Sequence, residues 1–247
     1  MAPPLGVLIL HGFTASRATV EVIVPRAEAL GLPWRLPQLR GHWTKPEDLV
    51  GVTYADLLAD AGAALDELRG STPRVAIVGL SVGGLLALNL AVDRPADVES
   101  LAVLAPALRY VHPLAGFSTL LARVIKTWAG DPASGFADTS LAGRSGNYAS
   151  FPTATFVSIY RAGRQLEARL PQISAPLLVI GARHDKTVQP RCSQIVYERA
   201  SSAQKELVWF ERSGHELLLD CEADAVADRV GLFLKQRIGA AIASPRF

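Results

Sequence analysis

A serine flanked by glycines, Gly79-Leu80-Ser81-Val82-Gly83, is the sharpest chemical feature of this chain. It sits between an apolar run, residues 74–79, that reads as a buried strand and a Leu- and Ala-rich helical pattern over residues 83–92. A turn tight enough to join the two leaves little room beside its central residue. Glycine two positions before and two after removes the clash. The hydroxyl is then lifted above the carboxyl ends of the strands, with a helix N-terminus behind it that favours developing negative charge. That is where a nucleophile would stand.

A serine hydroxyl needs a base to take its proton. The base needs a carboxylate to orient it and stabilise its cation. Of the five histidines, His215 in Ser213-Gly214-His215-Glu216 lies just past the last strand-like run and before the last helical one. His11 stands at a strand end beside Gly12 and Phe13, His42 in a loop, His112 at the start of a long irregular interval and His184 next to Asp185. Asp185 directly follows another strand-like run and so faces the same edge. Glu216 and Asp220 compete for the partner role, but they follow the histidine closely and are expected to point along the last helix. The expected set is therefore Ser81, His215 and Asp185. An oxyanion formed at Ser81 needs two convergent donors. The backbone N–H groups of Val82 and of Phe13, in His11-Gly12-Phe13-Thr14 after the first strand, are the candidates. Because the base must be neutral, kcat/KM is expected to rise through a pKa of about 6 to 7.

The elements that must hold these residues follow from the apolar pattern. The 247 residues are 49% apolar, enough for one large α/β domain with a sizeable core. Strands are expected over 6–10, 34–39, 74–79, 101–105, 176–181 and 206–210. Helical patterns over 20–30, 54–68, 83–92 and 222–238 alternate with them, the signature of parallel strands with crossover helices. Residues 106–174 break the rhythm. They carry no strand pattern and exceed what one crossover needs. Within them Leu114, Phe117, Leu121, Val124, Ile125 and Trp128 recur at helical spacing, then a Gly-, Ser- and Asp-rich stretch over 130–146, then a helical pattern over 153–170. This reads as an insertion with short helices of its own; two ordinary crossover helices joined by a loop is the alternative.

The formal net charge of +2, with Lys and Arg scattered, supplies no concentrated basic face for nucleic acid. Cys192 and Cys221 indicate neither a disulfide framework nor a zinc site, which fits a cytoplasmic protein. No run reaches the ~20 apolar residues of an integral membrane segment. Met1-Ala2-Pro3-Pro4 lacks the basic start and long apolar stretch of a secretory leader. No metal and no organic cofactor is called for. The expected partner is a small-molecule substrate, and monomer and homodimer both stay open.

In the order serine, acid, histidine the chain resembles the α/β-hydrolases. It is most similar to small bacterial carboxylesterases and monoacylglycerol lipases, through His11-Gly12-Phe13-Thr14, Leu36-Pro37-Gln38-Leu39-Arg40-Gly41-His42, Gly79-Leu80-Ser81-Val82-Gly83-Gly84, His184-Asp185 and Ser213-Gly214-His215. The resemblance implies an α/β-hydrolase fold with a mostly parallel sheet of about six strands. It also implies a helical cap after the fourth strand, residues 107–170, on a core of 1–106 and 171–247. The antiparallel hairpin that opens larger members is expected to be missing. The implied activity is a serine carboxylesterase on short-to-medium acyl esters. A monoacylglycerol lipase, a thioesterase, a carbon–carbon hydrolase and a small-molecule sensor are the alternatives. In such a cap Phe117, Leu121, Val124 and Trp128 would wall an acyl pocket. Trp43 stands where relatives carry a small residue after the Gly-His pair, and would narrow that pocket.

Overall fold

The computed structural model describes residues 5–243. The expectations about a leader and a preceding hairpin rest on residues 1–4, which lie outside them. The first half of the chain runs β1 (Gly6–Leu10), α1 (Ala18–Glu21), α2 (Val24–Ala29), β2 (Trp34–Arg35), α3 (Tyr54–Arg69), β3 (Val75–Leu80), α4 (Val82–Asp93) and β4 (Val98–Leu104). After α5 (Ser118–Leu121), β5 (Thr127–Ala129), β6 (Ser150–Pro152) and α6 (Thr153–Arg169) come β7 (Leu177–Ala182), α7 (Arg191–Arg199), β8 (Lys205–Phe210) and α8 (Ala223–Ala243).

Six of these strands form one sheet in the order β2-β1-β3-β4-β7-β8, and every neighbouring pair is parallel. The chain moves outward from β1 to β2, then returns to lay β3 on the other side of β1. Connections leaving β1 and β3 therefore diverge, and a crevice opens at their carboxyl ends. Ser81 follows β3 and His11-Gly12-Phe13 follows β1, so both loops meet at that crevice.

Strands buried on both faces need apolar side chains on both, and β1, β3 and β7 are buried throughout. The two-residue strand period divides them between two cores. Leu8, Leu10, Ile77, Val103 and Val179 pack with α3, α4, α6 and α7, while Val7, Ile9, Val78, Leu104 and Ile180 pack with α1, α2 and α8. Helix α4 is apolar all round because it is enclosed between the sheet and α3 and α6, and residues 82–91 are all buried. Helix α3 starts at a capping box in which Thr53 and Asp56 satisfy each other's backbone N–H.

The structure departs from the sequence expectations at three places. Strand β2 covers only Trp34–Arg35, because beyond Leu36-Pro37 the chain turns to tie itself to the loop after β1. The helix expected over 20–30 is broken into α1 and α2, since Pro25 can neither donate a helical N–H nor sit against the preceding turn. The interval after β4, expected to be free of strands, contains the antiparallel pair β5–β6, with Trp128 opposite Phe151. Trp128 is thus on a strand and not on a helix. The helical spacing from Leu114 to Ile125 gives only a 3₁₀ turn (Pro113–Phe117) and the single turn α5. Helix α6 shares a core with α4 through Ile159 and Leu166.

Candidate active site

Ser81 has φ 57° and ψ −115°, a conformation that costs a non-glycine residue of order 1–3 kcal/mol. Its neighbours show why it persists. A Cβ on Gly79 would collide with the carbonyl of Gly83, and one on Gly83 with the carbonyl of Leu10. The turn is fastened by Ser81 N–H donating to Leu104 O at 2.9 Å, while Ser81 O accepts from Ala107 and Leu85. The side chain is left at the wall of a cavity of about 720 Å³.

His215 reaches the same cavity from the loop after β8. Its Nδ1 donates to Asp185 Oδ2 at 2.7 Å, and both side chains are buried. The second oxygen, Oδ1, accepts the Thr187 and Val188 N–H groups at 2.8 Å each, which fixes the carboxylate in the turn after β7. With the proton held on Nδ1, Nε2 carries the free lone pair. Burial lowers the His215 pKa, but the charge of Asp185, its hydrogen bond and the charge of Glu216 outweigh burial, and the net shift is upward.

The competitors are otherwise engaged. Asp220 accepts the backbone N–H groups of Gly214 (2.7 Å), Ala137 (2.6 Å), Asp138 (3.2 Å) and Cys221 (2.9 Å). Burial raises its pKa, those four donors lower it, and the donors prevail. Glu216 accepts from Asn147 Nδ2 at 2.7 Å and does not hydrogen-bond His215.

The loop after β1 is held by two histidines. His11 donates from Nδ1 to Gly12 O at 2.9 Å and accepts the Leu39 N–H on Nε2 at 3.3 Å. His42 donates to Arg40 O at 3.0 Å and accepts the Thr14 N–H at 3.1 Å. Each ring nitrogen that accepts must be unprotonated, so both rings are neutral. Burial, with the neighbouring His42, pushes the His11 pKa down to about 3, and burial also lowers that of His42. A Cβ on Gly12 would lie 3.3 Å from Ser81 Cβ, so glycine is what lets this loop lie against the serine. Phe13 and Val82 both line the cavity, and Val82, as the first residue of α4, presents an N–H that no helical carbonyl can reach.

Of the five residues expected to wall the pocket, the structure places one there. Trp128 lines it. Trp43 packs against His11 at 5.1 Å between ring centroids, away from the cavity, with its indole N–H buried and unpartnered. Phe117 and Val124 are 62% and 78% exposed, and Leu121 is half-buried outside the cavity. Helical spacing shows that these residues share a face, but α5 is too short to turn that face inward. The apolar wall comes instead from Tyr110, Phe151 and Phe156, with Tyr148 beside the loop after β1. Tyr148 N–H donates to Thr14 O at 3.0 Å, tying the inserted segment to that loop. His112 also lines the cavity, stacked edge-on against Trp128, whereas His184 is exposed. Among the described residues no group of three or more His, Cys, Asp or Glu could hold a metal ion, and no helix is long and apolar enough to cross a membrane.

A parallel sheet with this strand order, a strained serine at its crevice and a carboxylate-bound histidine beside it define an α/β-hydrolase architecture. The chain belongs to the alpha/beta hydrolase family, whose model matches residues 7–229. It is 28% identical over 238 residues to a thermostable monoacylglycerol lipase from Bacillus sp. (strain H-257), covering 96% of this chain and 92% of that one. A carboxylesterase from Bacillus subtilis (strain 168) is 26% identical over 233 residues, covering 93% and 92%. A solved structure from a study of LipS and LipT, two metagenome-derived lipolytic enzymes, superposes with a TM-score of 0.89 at 26% identity, over 96% of this chain and 95% of that one.

Proposed function

We propose that this protein is a serine carboxylesterase acting on esters of short-to-medium acyl chains, with Ser81 as nucleophile, His215 as base and Asp185 as its orienting carboxylate. The observation that carries the reading is the 2.7 Å bond from His215 Nδ1 to Asp185, which leaves Nε2 free at the cavity that Ser81 also lines.

In this mechanism His215 Nε2 takes the Ser81 proton as Oγ attacks the ester carbonyl. The Phe13 and Val82 N–H groups receive the oxyanion, as fixed donors aimed at the place where the charge develops. The tetrahedral intermediate collapses, the C–O bond to the alcohol breaks, and His215 returns its proton to the departing alkoxide. Water then adds to the acyl-serine by the same route, and the carboxylic acid leaves with Ser81 restored. The neutral His11 and His42 are positioning residues that hold the donor loop and move no proton.

The segment between β4 and α6 is proposed to act as the cap. It contributes Tyr110, Trp128 and Phe151 to the cavity, a wall suited to an acyl chain. Kinship with a monoacylglycerol lipase over nearly the whole chain supports a second reading, with monoacylglycerols as substrates.

Hydrolysis of p-nitrophenyl esters from acetate to palmitate, with monoacylglycerols in the same panel, tests the proposal. Multiple turnover by wild type that disappears in Ser81→Ala is expected, with the optimum below the longest chains. No turnover on any ester would overturn it, and a strong preference for monoacylglycerols would select the second reading.

A further inference from the structure

Residues 110–113 and 115, which wall the catalytic cavity, also wall a second one of about 350 Å³. Three arginines from separate elements line it: Arg109 from the loop after β4, Arg164 from α6 and Arg191 at the start of α7. No acid lines it. The carboxylate bonded to these arginines is Glu167, which is buried and fully engaged. Its Oε1 accepts from Arg109 Nη2 at 2.6 Å and lies 3.4 Å from Arg199 Nη1, while Oε2 accepts from Arg109 Nε at 3.0 Å and Arg164 Nη1 at 3.1 Å. Arg191 pairs with no carboxylate among the described residues. Its Nε donates to Gln189 Oε1 at 2.9 Å, and Gln189 Nε2 donates to Tyr110 O at 2.8 Å, so a neutral amide holds the guanidinium in place. Four guanidinium charges thus meet a single negative one. Among the described residues, no protein acceptor takes Nη1 or Nη2 of Arg191, Nη2 of Arg164 or Nη1 of Arg109.

We propose that this second cavity is a binding site for a phosphate group, carried as inorganic phosphate or as a small phosphate monoester. Guanidinium groups bond oxyanions through fixed pairs of N–H donors, and such charge-assisted bonds are the strong ones. Three guanidinium groups arriving from three elements need more acceptor oxygens than one carboxylate has. A phosphate supplies them, and its two charges offset most of the positive excess. A monocarboxylate brings two oxygens and a single charge. Tyr160 lines the same cavity, and its hydroxyl is a further donor. The volume exceeds that of a phosphate alone, which leaves room for a small organic group on one oxygen. The site uses none of Ser81, His215 and Asp185, so it does not depend on the ester chemistry proposed for them.

Titration calorimetry of the whole chain with inorganic phosphate, glycerol 3-phosphate and butyrate tests the site. One saturable site for phosphate is expected, with Tm raised by roughly 3 °C at about ten times Kd. Butyrate should bind at least about tenfold more weakly than phosphate. Arg164→Gln and Arg191→Gln should each weaken phosphate binding by about tenfold and leave the ligand-free Tm within about 2 °C of wild type, since both side chains are exposed. Arg35→Gln, which removes one charge on the edge strand β2, should leave the affinity within about twofold. Tighter binding of glycerol 3-phosphate than of phosphate would identify a monoester as the ligand, and equal or weaker binding would identify inorganic phosphate. Binding is read without turnover, so a chain inactive on every ester would sink the esterase reading and leave this test standing. No saturable binding of either phosphate compound would overturn the proposal. So would butyrate binding as tightly as phosphate, or an affinity that neither arginine substitution changes.

Discussion

Asp185→Asn is the substitution whose consequence the geometry fixes most tightly. In the wild type, Oδ1 accepts two backbone N–H groups at 2.8 Å and Oδ2 accepts the Nδ1 proton of His215 at 2.7 Å. An asparagine keeps its single oxygen on the two backbone donors, because turning it over would point its NH₂ at both of them. The NH₂ then faces Nδ1, which has to accept, so the imidazole proton moves to Nε2. The lone pair needed by Ser81 is lost while the turn and the fold remain. The expected loss in kcat at neutral pH is about ten-thousand-fold, roughly 5 kcal/mol of barrier. Steady-state hydrolysis of p-nitrophenyl butyrate, with a melting curve to verify the fold, measures it. Activity within tenfold of wild type in a folded variant would refute the assigned orientation.

Three further outcomes follow from the same contacts. Because the net effect of its surroundings raises the His215 pKa and the base must be neutral, kcat/KM should rise with pH through a midpoint above the ordinary histidine value of 6.5; a midpoint below it would contradict the balance described. Gly83→Ala would drive a methyl into the Leu10 carbonyl and should cost about 3 kcal/mol or more, lowering Tm by roughly 6 °C or more; a Tm within 2 °C of wild type, by about one measurement error, would show that the turn gives way easily. Asp220→Asn should lose about 2 kcal/mol at neutral pH, because one oxygen cannot replace a charged carboxylate among four N–H donors. The folded pKa of Asp220 lies below its ordinary 3.8, so the advantage of wild type is fully present above that value and fades as pH falls through the folded pKa. Denaturation curves compared at neutral and acid pH check this, and a gap that widens in acid would count against it.

What could be read from the residues divides along physical lines. The serine turn was legible because its requirement is local and steric: no other residue fits beside Gly83 O or Leu10 O, so the glycines appear in the sequence itself. Asp185 and His215 were legible as strand-end residues once β7 and β8 were recognised as apolar runs. The pocket wall was not. Phe117, Leu121 and Val124 have helical spacing, but spacing says nothing about which way a single turn faces, and here Phe117 and Val124 are open to solvent. Trp128 fits a helical spacing in the sequence because three residues of a two-stranded ladder leave no detectable alternation. Trp43, read as narrowing the pocket, packs on His11 because a tertiary contact decides its direction. Tyr110 stands far along the chain from Phe151 and Phe156, and they meet only in space. Glu216, a competitor for the place beside His215 in the sequence, bonds Asn147 instead, a residue 69 positions away that only the folded insertion brings near.

The central claim is that the acyl group passes through Ser81. Rapid acid quench of wild type turning over p-nitrophenyl butyrate, followed by peptide mass spectrometry, tests it most directly. A single butyryl group on the peptide carrying Ser81, formed and lost within the turnover time and missing from Ser81→Ala, is the expected result. Undiminished turnover in Ser81→Ala, or a butyryl group carried by any other residue at turnover rate, would contradict the account.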